Sequence, residues 1–186
     1  MPAAGLRKAP PPAGCSGGTV AKNVAWTAVF VFIAATLQST LLARVSLFGA
    51  VPDLALGIVV YTAYLNGLMT GQVSGFFSGV ALDMVSAAPV GLNALVRTLI
   101  GALAGLLRGK VILGRVLVPM ALCALATLAK AAILFLLSLA FQGAVPAYPL
   151  AAPTLWAELA LNAGTAPLLF AFLRRFDALL VGKGVS

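Results

Sequence analysis

Five side chains carry charge within stretches that otherwise read as lipid-soluble: Asp53, Asp83, Arg97, Lys130 and Glu158. A charged group at the centre of a membrane-crossing helix costs about 2.5–3.5 kcal/mol even on the mildest insertion scale, so each needs a partner, a water-filled cavity or a task. Acid–base chemistry is one such task. Histidine, however, is absent, which removes the commonest general base, proton shuttle and metal ligand together. An intramembrane serine protease therefore has no histidine to activate its nucleophile. The two cysteines, Cys15 and Cys123, show no C-x-x-C spacing and point to neither a zinc site nor a disulfide framework. Gly14-Cys15-Ser16-Gly17-Gly18 matches G-x-S-x-G formally, yet that motif needs a strand-to-helix elbow, which a proline-rich tail does not supply. No catalytic residue, cofactor or metal ligand is assigned, and no enzyme activity is expected.

The composition says what these charges sit in. Hydrophobic residues make up 62% of the chain and charged residues 9%, against roughly 25% charged in a soluble domain, so an integral membrane protein is indicated. With about 20 residues per crossing, 186 residues allow one compact bundle and no second soluble domain. A net charge of +8 raises nucleic acid as a partner, but the positions of the basic residues give a different explanation. Arg7, Lys8 and Lys22 precede the first apolar run, Arg108, Lys110 and Arg115 lie between the fourth and fifth, and Arg174, Arg175 and Lys183 follow the sixth. The opposite loops contribute only Arg44. Six crossings with both termini cytoplasmic satisfy the positive-inside rule, and nucleic acid is unnecessary.

Residues 1–22, rich in Pro, Gly and Ala, are expected to form a disordered basic tail, and no apolar segment precedes Cys15 to make a signal peptide. A single six-helix domain is expected over 23–175 and a short cytoplasmic tail over 176–186. The apolar runs fall near 23–43, 54–70, 71–87, 91–107, 116–142 and 155–173. Gly and Pro separate them, notably Pro52 before the second, Gly67 and Gly71 after it, and Pro89 with Gly91 before the fourth. Pro119 falls in a first turn, whereas Pro167 falls inside the sixth helix, where a kink is expected.

The third run carries Gly71, Gly75, Gly79 and Asp83 at intervals of four, and the fourth carries Arg97, Gly101, Gly105 and Gly109 likewise. Four-residue spacing keeps each set on one face. Reflection about Val90 sets Asp83 opposite Arg97, Gly79 opposite Gly101, Gly75 opposite Gly105 and Gly71 opposite Gly109. That arrangement predicts an antiparallel small-residue seam ending in an Asp83–Arg97 ion pair, with alanine tolerated at the glycines and leucine not. The other reading is that these glycines merely face different neighbours. Lys130 and Glu158 mark either an ion or substrate path or a lysine whose stem reaches an acidic partner or the headgroups. Asp53, after Pro52, reads as a helix N-terminal anion near the interface.

Pro52-Asp53-Leu54, the Gly71/Gly75/Gly79 series leading into Leu82-Asp83, and the turn Pro89-Val90-Gly91-Leu92-Asn93-Ala94-Leu95 resemble the bacterial rod-shape-determining MreD family. The resemblance covers about a third of the chain, and the tail before Asn23 is longer than is usual in that family. It implies a non-enzymatic inner-membrane scaffold of the cell-elongation machinery, serving lateral peptidoglycan synthesis. Its implied associates are a bitopic MreC-like protein, an MreB-like filament, and the wall polymerase and transpeptidase. It also implies similarity in fold to the substrate-binding subunits of energy-coupling-factor transporters. The alternative function follows from that similarity: a subunit binding a vitamin or small solute, with polar groups such as Asn66, Asn93, Gln142 and Asn162 converging on an outward pocket.

Overall fold

The computed structural model describes residues 17–40, 50–86, 89–109, 116–141 and 153–180. They are all-helical, with no β-strand among them. Six main helices carry the fold: α1 (Gly17–Thr40), α2 (Leu54–Asn66), α3 (Leu68–Asp83), α4 (Leu92–Leu106), α5 (Leu117–Ala140) and α6 (Pro153–Leu173). A 3-10 turn, Arg174–Phe176, leads into a short α7, Asp177–Leu180. Most of the basic tail, the Cys15-Ser16 pair, Arg44, Gln142 and the last six residues lie outside the described residues.

Each boundary has a local cause. The first helix starts at Gly17 rather than at the expected Asn23, because the tail's prolines all precede it and Thr19–Lys22 contain neither Pro nor Gly. The second stops at Asn66, short of residue 70, since Gly67 takes φ +92°, a left-handed conformation that glycine adopts without steric strain. Gly91, at φ +93°, likewise starts α4. Pro119 sits in the first turn of α5 and Pro167 inside α6.

At the centre lies α2. Residues Ala55 through Ala63 are all buried, the mark of a helix apolar on every side and enclosed by others. It packs against α1, α3, α4, α5 and α6. The outside is apolar too: Phe32, Leu136 and Leu168 are each more than half exposed, an arrangement unfavourable in water and natural in lipid. Among the described residues three helices are long and apolar enough to cross a membrane, spanning Ala21–Gln38, Leu117–Ala140 and Pro153–Phe176.

The closest approach of backbones is between α3 and α4. Gly71 lies on Gly101, Gly75 on the carbonyl of Arg97, Gly79 on Asn93 and Ala94, and Gly105 on Gly67 and Leu68. Glycines thus line a seam, but not in the expected register. The hairpin folds about Ser86 instead of Val90, so the pairs Gly79–Gly101, Gly75–Gly105 and Gly71–Gly109 do not form. A ladder repeating every four residues meshes again at each shift of four, so it specifies closeness without specifying register.

The expectation for alanine is corrected as well. A Cβ added at Gly75 would stand 2.7 Å from the carbonyl carbon of Arg97, at Gly79 2.5 Å from the amide nitrogen of Ala94, and at Gly101 2.7 Å from the carbonyl carbon of Gly71. These obstacles are backbone, which cannot swing aside. Gly164 in α6, by contrast, has nothing within 4 Å of such an atom. Gly75→Ala and Gly101→Ala should each lower stability in detergent by about 1–3 kcal/mol through overpacking. Gly164→Ala should be neutral or stabilising by up to ~1 kcal/mol, as expected for an unobstructed helical glycine. Thermal unfolding of the three variants checks the contrast, and equal behaviour would sink the seam.

Candidate functional site

The first residue of interest is the N-cap of α2. Asp53 accepts a hydrogen bond from the Leu56 backbone N–H at 2.9 Å, satisfying one of the donors that every helix start leaves unpaired. Its side chain does far more than cap. Arg97 of α4 donates from Nη2 to both carboxylate oxygens, at 2.8 and 3.1 Å, and Lys130 of α5 reaches Oδ2 at 3.2 Å. Lys130 also donates to Glu158 Oε1 of α6 at 2.6 Å. Two cations and two carboxylates from four helices therefore neutralise one another in a chain, Arg97–Asp53–Lys130–Glu158.

Asn162 and Thr127 fix this chain in place. The Asp53 backbone N–H donates to Asn162 Oδ1 at 2.7 Å, while Asn162 Nδ2 donates to Thr127 Oγ1 at 2.9 Å. Sequence reasoning missed Thr127 altogether and treated Asn162 only as a pocket candidate. A signal was available: Thr127 and Lys130 are three apart on α5, and Glu158 and Asn162 four apart on α6, so each pair shares a helix face.

Asp83 does not meet Arg97. Its Oδ2 accepts from the backbone N–H groups of Gly91 (2.9 Å) and Ala94 (3.2 Å), and Oδ1 accepts from the backbone and side-chain nitrogens of Asn93 (3.1 and 2.9 Å). Gly91 caps α4 without a side chain, so the last residue of α3 does the capping from the neighbouring helix. Charge-assisted bonds to a helix N-terminus hold the carboxylate without any cation. They also set the hairpin register, because only one offset brings Asp83 level with the start of α4. The expected Asp83–Arg97 pair is thereby replaced by an Asp83 cap and an Arg97–Asp53 pair. Pro89 precedes this turn.

At the opposite end a second polar cluster ties the C-terminal α7 to α1 and α2. Asn66 accepts from Asn23 Nδ2 at 3.0 Å and donates to the carbonyls of Thr62 and Leu180. Thr27 and Thr62 share a buried hydroxyl contact at 3.2 Å, and Tyr61 donates to Asp177. Arg108 reaches the Asn66 carbonyl. Asn66 thus stands a whole helix away from Asn93 and Asn162, and the three do not converge on one pocket.

One cavity of about 420 Å³ opens beside the charged chain, with Asp53, Arg97, Asn93 and Gln38 among its lining. No group of three or more residues able to hold a metal ion occurs among the described residues.

An apolar exterior, three helices among the described residues long enough to cross a bilayer, and a largely buried chain of balanced charges define the class: an all-helical protein built for lipid. Within that class the chain belongs to a known family, since the model for rod shape-determining protein MreD matches residues 21–176. The family is membrane-associated and acts in determining rod shape. Neither curated proteins nor solved structures yielded a match.

Because the charges balance in pairs, removing one should harm more than removing a matched two. Breaking a buried pair typically costs about 3–5 kcal/mol, whereas replacing both members by apolar groups is often near neutral. Asp53→Ala, which strands both Arg97 and Lys130, should be the most damaging single change. Lys130→Met together with Glu158→Gln should be milder than Glu158→Gln alone. Unfolding midpoints in detergent decide this, and additive losses in the double variant would argue against the chain acting as a unit.

Proposed function

We propose that this protein is a non-enzymatic scaffold of the inner-membrane machinery that elongates rod-shaped cells, acting beside a bitopic MreC-like partner and an MreB-like filament during lateral peptidoglycan synthesis. Membership of the MreD family over residues 21–176 is the observation that carries this reading. The buried charge chain supports it in a second way. Groups that satisfy one another fix helices in place, and fixing helices is what a scaffold requires.

The topology we propose is six crossings with both termini in the cytoplasm. Lys22 at the start of α1, Arg108 after α4, and Arg174 and Arg175 after α6 all stand at the end of the bundle opposite Asp53 and Asp83, in line with the positive-inside rule. Although α2 is short for a crossing, its enclosure by five other helices spares it contact with lipid.

For the partner's membrane helix we propose the apolar groove between α4 and α5. It holds about 280 Å³, walled by Leu103, Leu107 and Leu125, with Ala104, Ala126 and Ala129 as its small residues. Alanines admit close approach of a second helix, which is how association proceeds where lipid removes the hydrophobic drive. The energy-coupling-factor alternative gains no comparable support, because Asn66 lies far from the other polar candidates.

A photo-crosslinking residue at Leu125 should capture a bitopic protein in intact cells, while one at Leu168, exposed on α6, should not; the reverse pattern would move the docking face. Depletion should round or swell a rod-shaped host without blocking division, and unchanged cell width would count heavily against the scaffold. A reporter fused after Ser186 should be active only in the cytoplasm.

A further inference from the structure

We infer that the α3–α4 hairpin presents a bilayer-thinning face, a surface that takes phospholipids with short acyl chains; the inference rests on the six-crossing topology proposed above. At about 1.5 Å per residue, the 16 residues of α3 and the 15 of α4 reach only ~24 and ~22 Å, against a hydrocarbon core of about 30 Å. Neither helix can lengthen. Gly67, at φ +92°, stands before α3, whose last residue, Asp83, is committed to capping α4, and Arg108 follows α4 with its guanidinium on the Asn66 carbonyl. Unlike the enclosed α2, both helices meet lipid: Phe76, Phe77, Leu99 and Leu103 are each more than two-fifths exposed.

A crossing shorter than the bilayer is accommodated by snorkelling of flanking charges, by oligomerisation or by thinning of the bilayer. Snorkelling is closed to the far end of this hairpin, because residues 84–86 and 89–91 of its turn carry no charge, and Asp83 and Arg97 are held by other groups. The depth of the charged chain favours thinning. Arg97 lies five residues inside α4, ~7.5 Å below its start, and with Asp53 it lines the cavity of about 420 Å³ that opens among the ends of α1 and α3 and the starts of α2 and α4. Polar walls at that depth demand water or headgroups close by. The apolar layer beside α4 is therefore bounded low on this side, and from Arg97 to Arg108 the helix offers only eleven residues, ~16 Å. The neighbouring α5 differs. From Lys130, which shares Asp53 with Arg97, it continues for ten residues to Ala140, ~15 Å and twice the rise of α4 beyond Arg97, with Leu136 and Leu139 exposed along it. The molecule thus meets the bilayer at two heights, and the step between them falls at the α4–α5 groove.

Fluorescence quenching by brominated lipid tests the inference on the full chain in liposomes, with Trp26 and Trp156 replaced by Phe and a single tryptophan introduced as Leu99→Trp on α4 or Leu136→Trp on α5. Brominated dioleoyl phosphatidylcholine competes at each tryptophan with dimyristoleoyl or dierucoyl phosphatidylcholine, whose bilayers are thinner and thicker respectively. The expected result in Leu99→Trp is a preference for the short-chain over the long-chain lipid of about threefold or more, as a mismatch of several Å implies, with that preference absent or reversed in Leu136→Trp. The same preference at both positions, no preference at either, or a long-chain preference in Leu99→Trp would overturn the inference while leaving the topology standing. No quenching in Leu99→Trp would mean that this face does not meet lipid, and would overturn both the inference and the lipid-facing crossing of α4. Should Leu99→Trp disturb the fold, Phe76→Trp on α3 decides by the same readings.

Discussion

A carboxylate drawn largely out of water must be matched by positive charge or by well-aimed donors, and Asp53 has both. Its oxygens gather Arg97 from α4, Lys130 from α5 and a backbone donor from its own helix, while its amide is held by α6. The central helix therefore cannot rotate or slide without separating charges in a medium where separation is very unfavourable. Buried ion pairs add little net stability compared with good apolar packing, but they discriminate strongly between arrangements. Here the arrangement selected is the relative placement of four helices whose apolar surfaces alone would tolerate many alternatives.

The α3–α4 seam complements this restraint. Where backbones touch, dispersion acts over the whole length of contact, and shape rather than charge excludes competitors. Its glycines cannot choose an offset, since the repeat meshes with itself; the Asp83 cap chooses it. Two acids on two different helices thus divide the labour, one orienting the core helix and the other fixing the hairpin.

Much of this was legible in the residues. The six apolar runs, their Gly and Pro boundaries and the small-residue faces are local properties, and they emerge within a few residues of where they were read. The partners of the charges were not legible for a specific reason. A reading that counts charged side chains offers Arg97 two acids and favours the one nearer in sequence, Asp83. The donors that in fact hold Asp83 are mainly backbone N–H groups of Gly91, Asn93 and Ala94, which every sequence possesses and none displays. Asp53 was recognisable as a helix cap, but nothing in its neighbourhood announces contacts 44 and 77 residues away.

Those separations bear on how the chain is made. Ribosomes add roughly 5–20 residues per second, so the 44 residues between Asp53 and Arg97 represent about 2–9 s of synthesis during which the acid lacks its principal counterion. Tyr61 waits longer still, since Asp177 lies 116 residues downstream. The helix at the heart of the bundle is among the earliest to emerge and the last to have its polar groups answered. A chain interrupted before α6 lacks both Glu158 and Asn162, so its centre is electrostatically incomplete until the last long helix has been made.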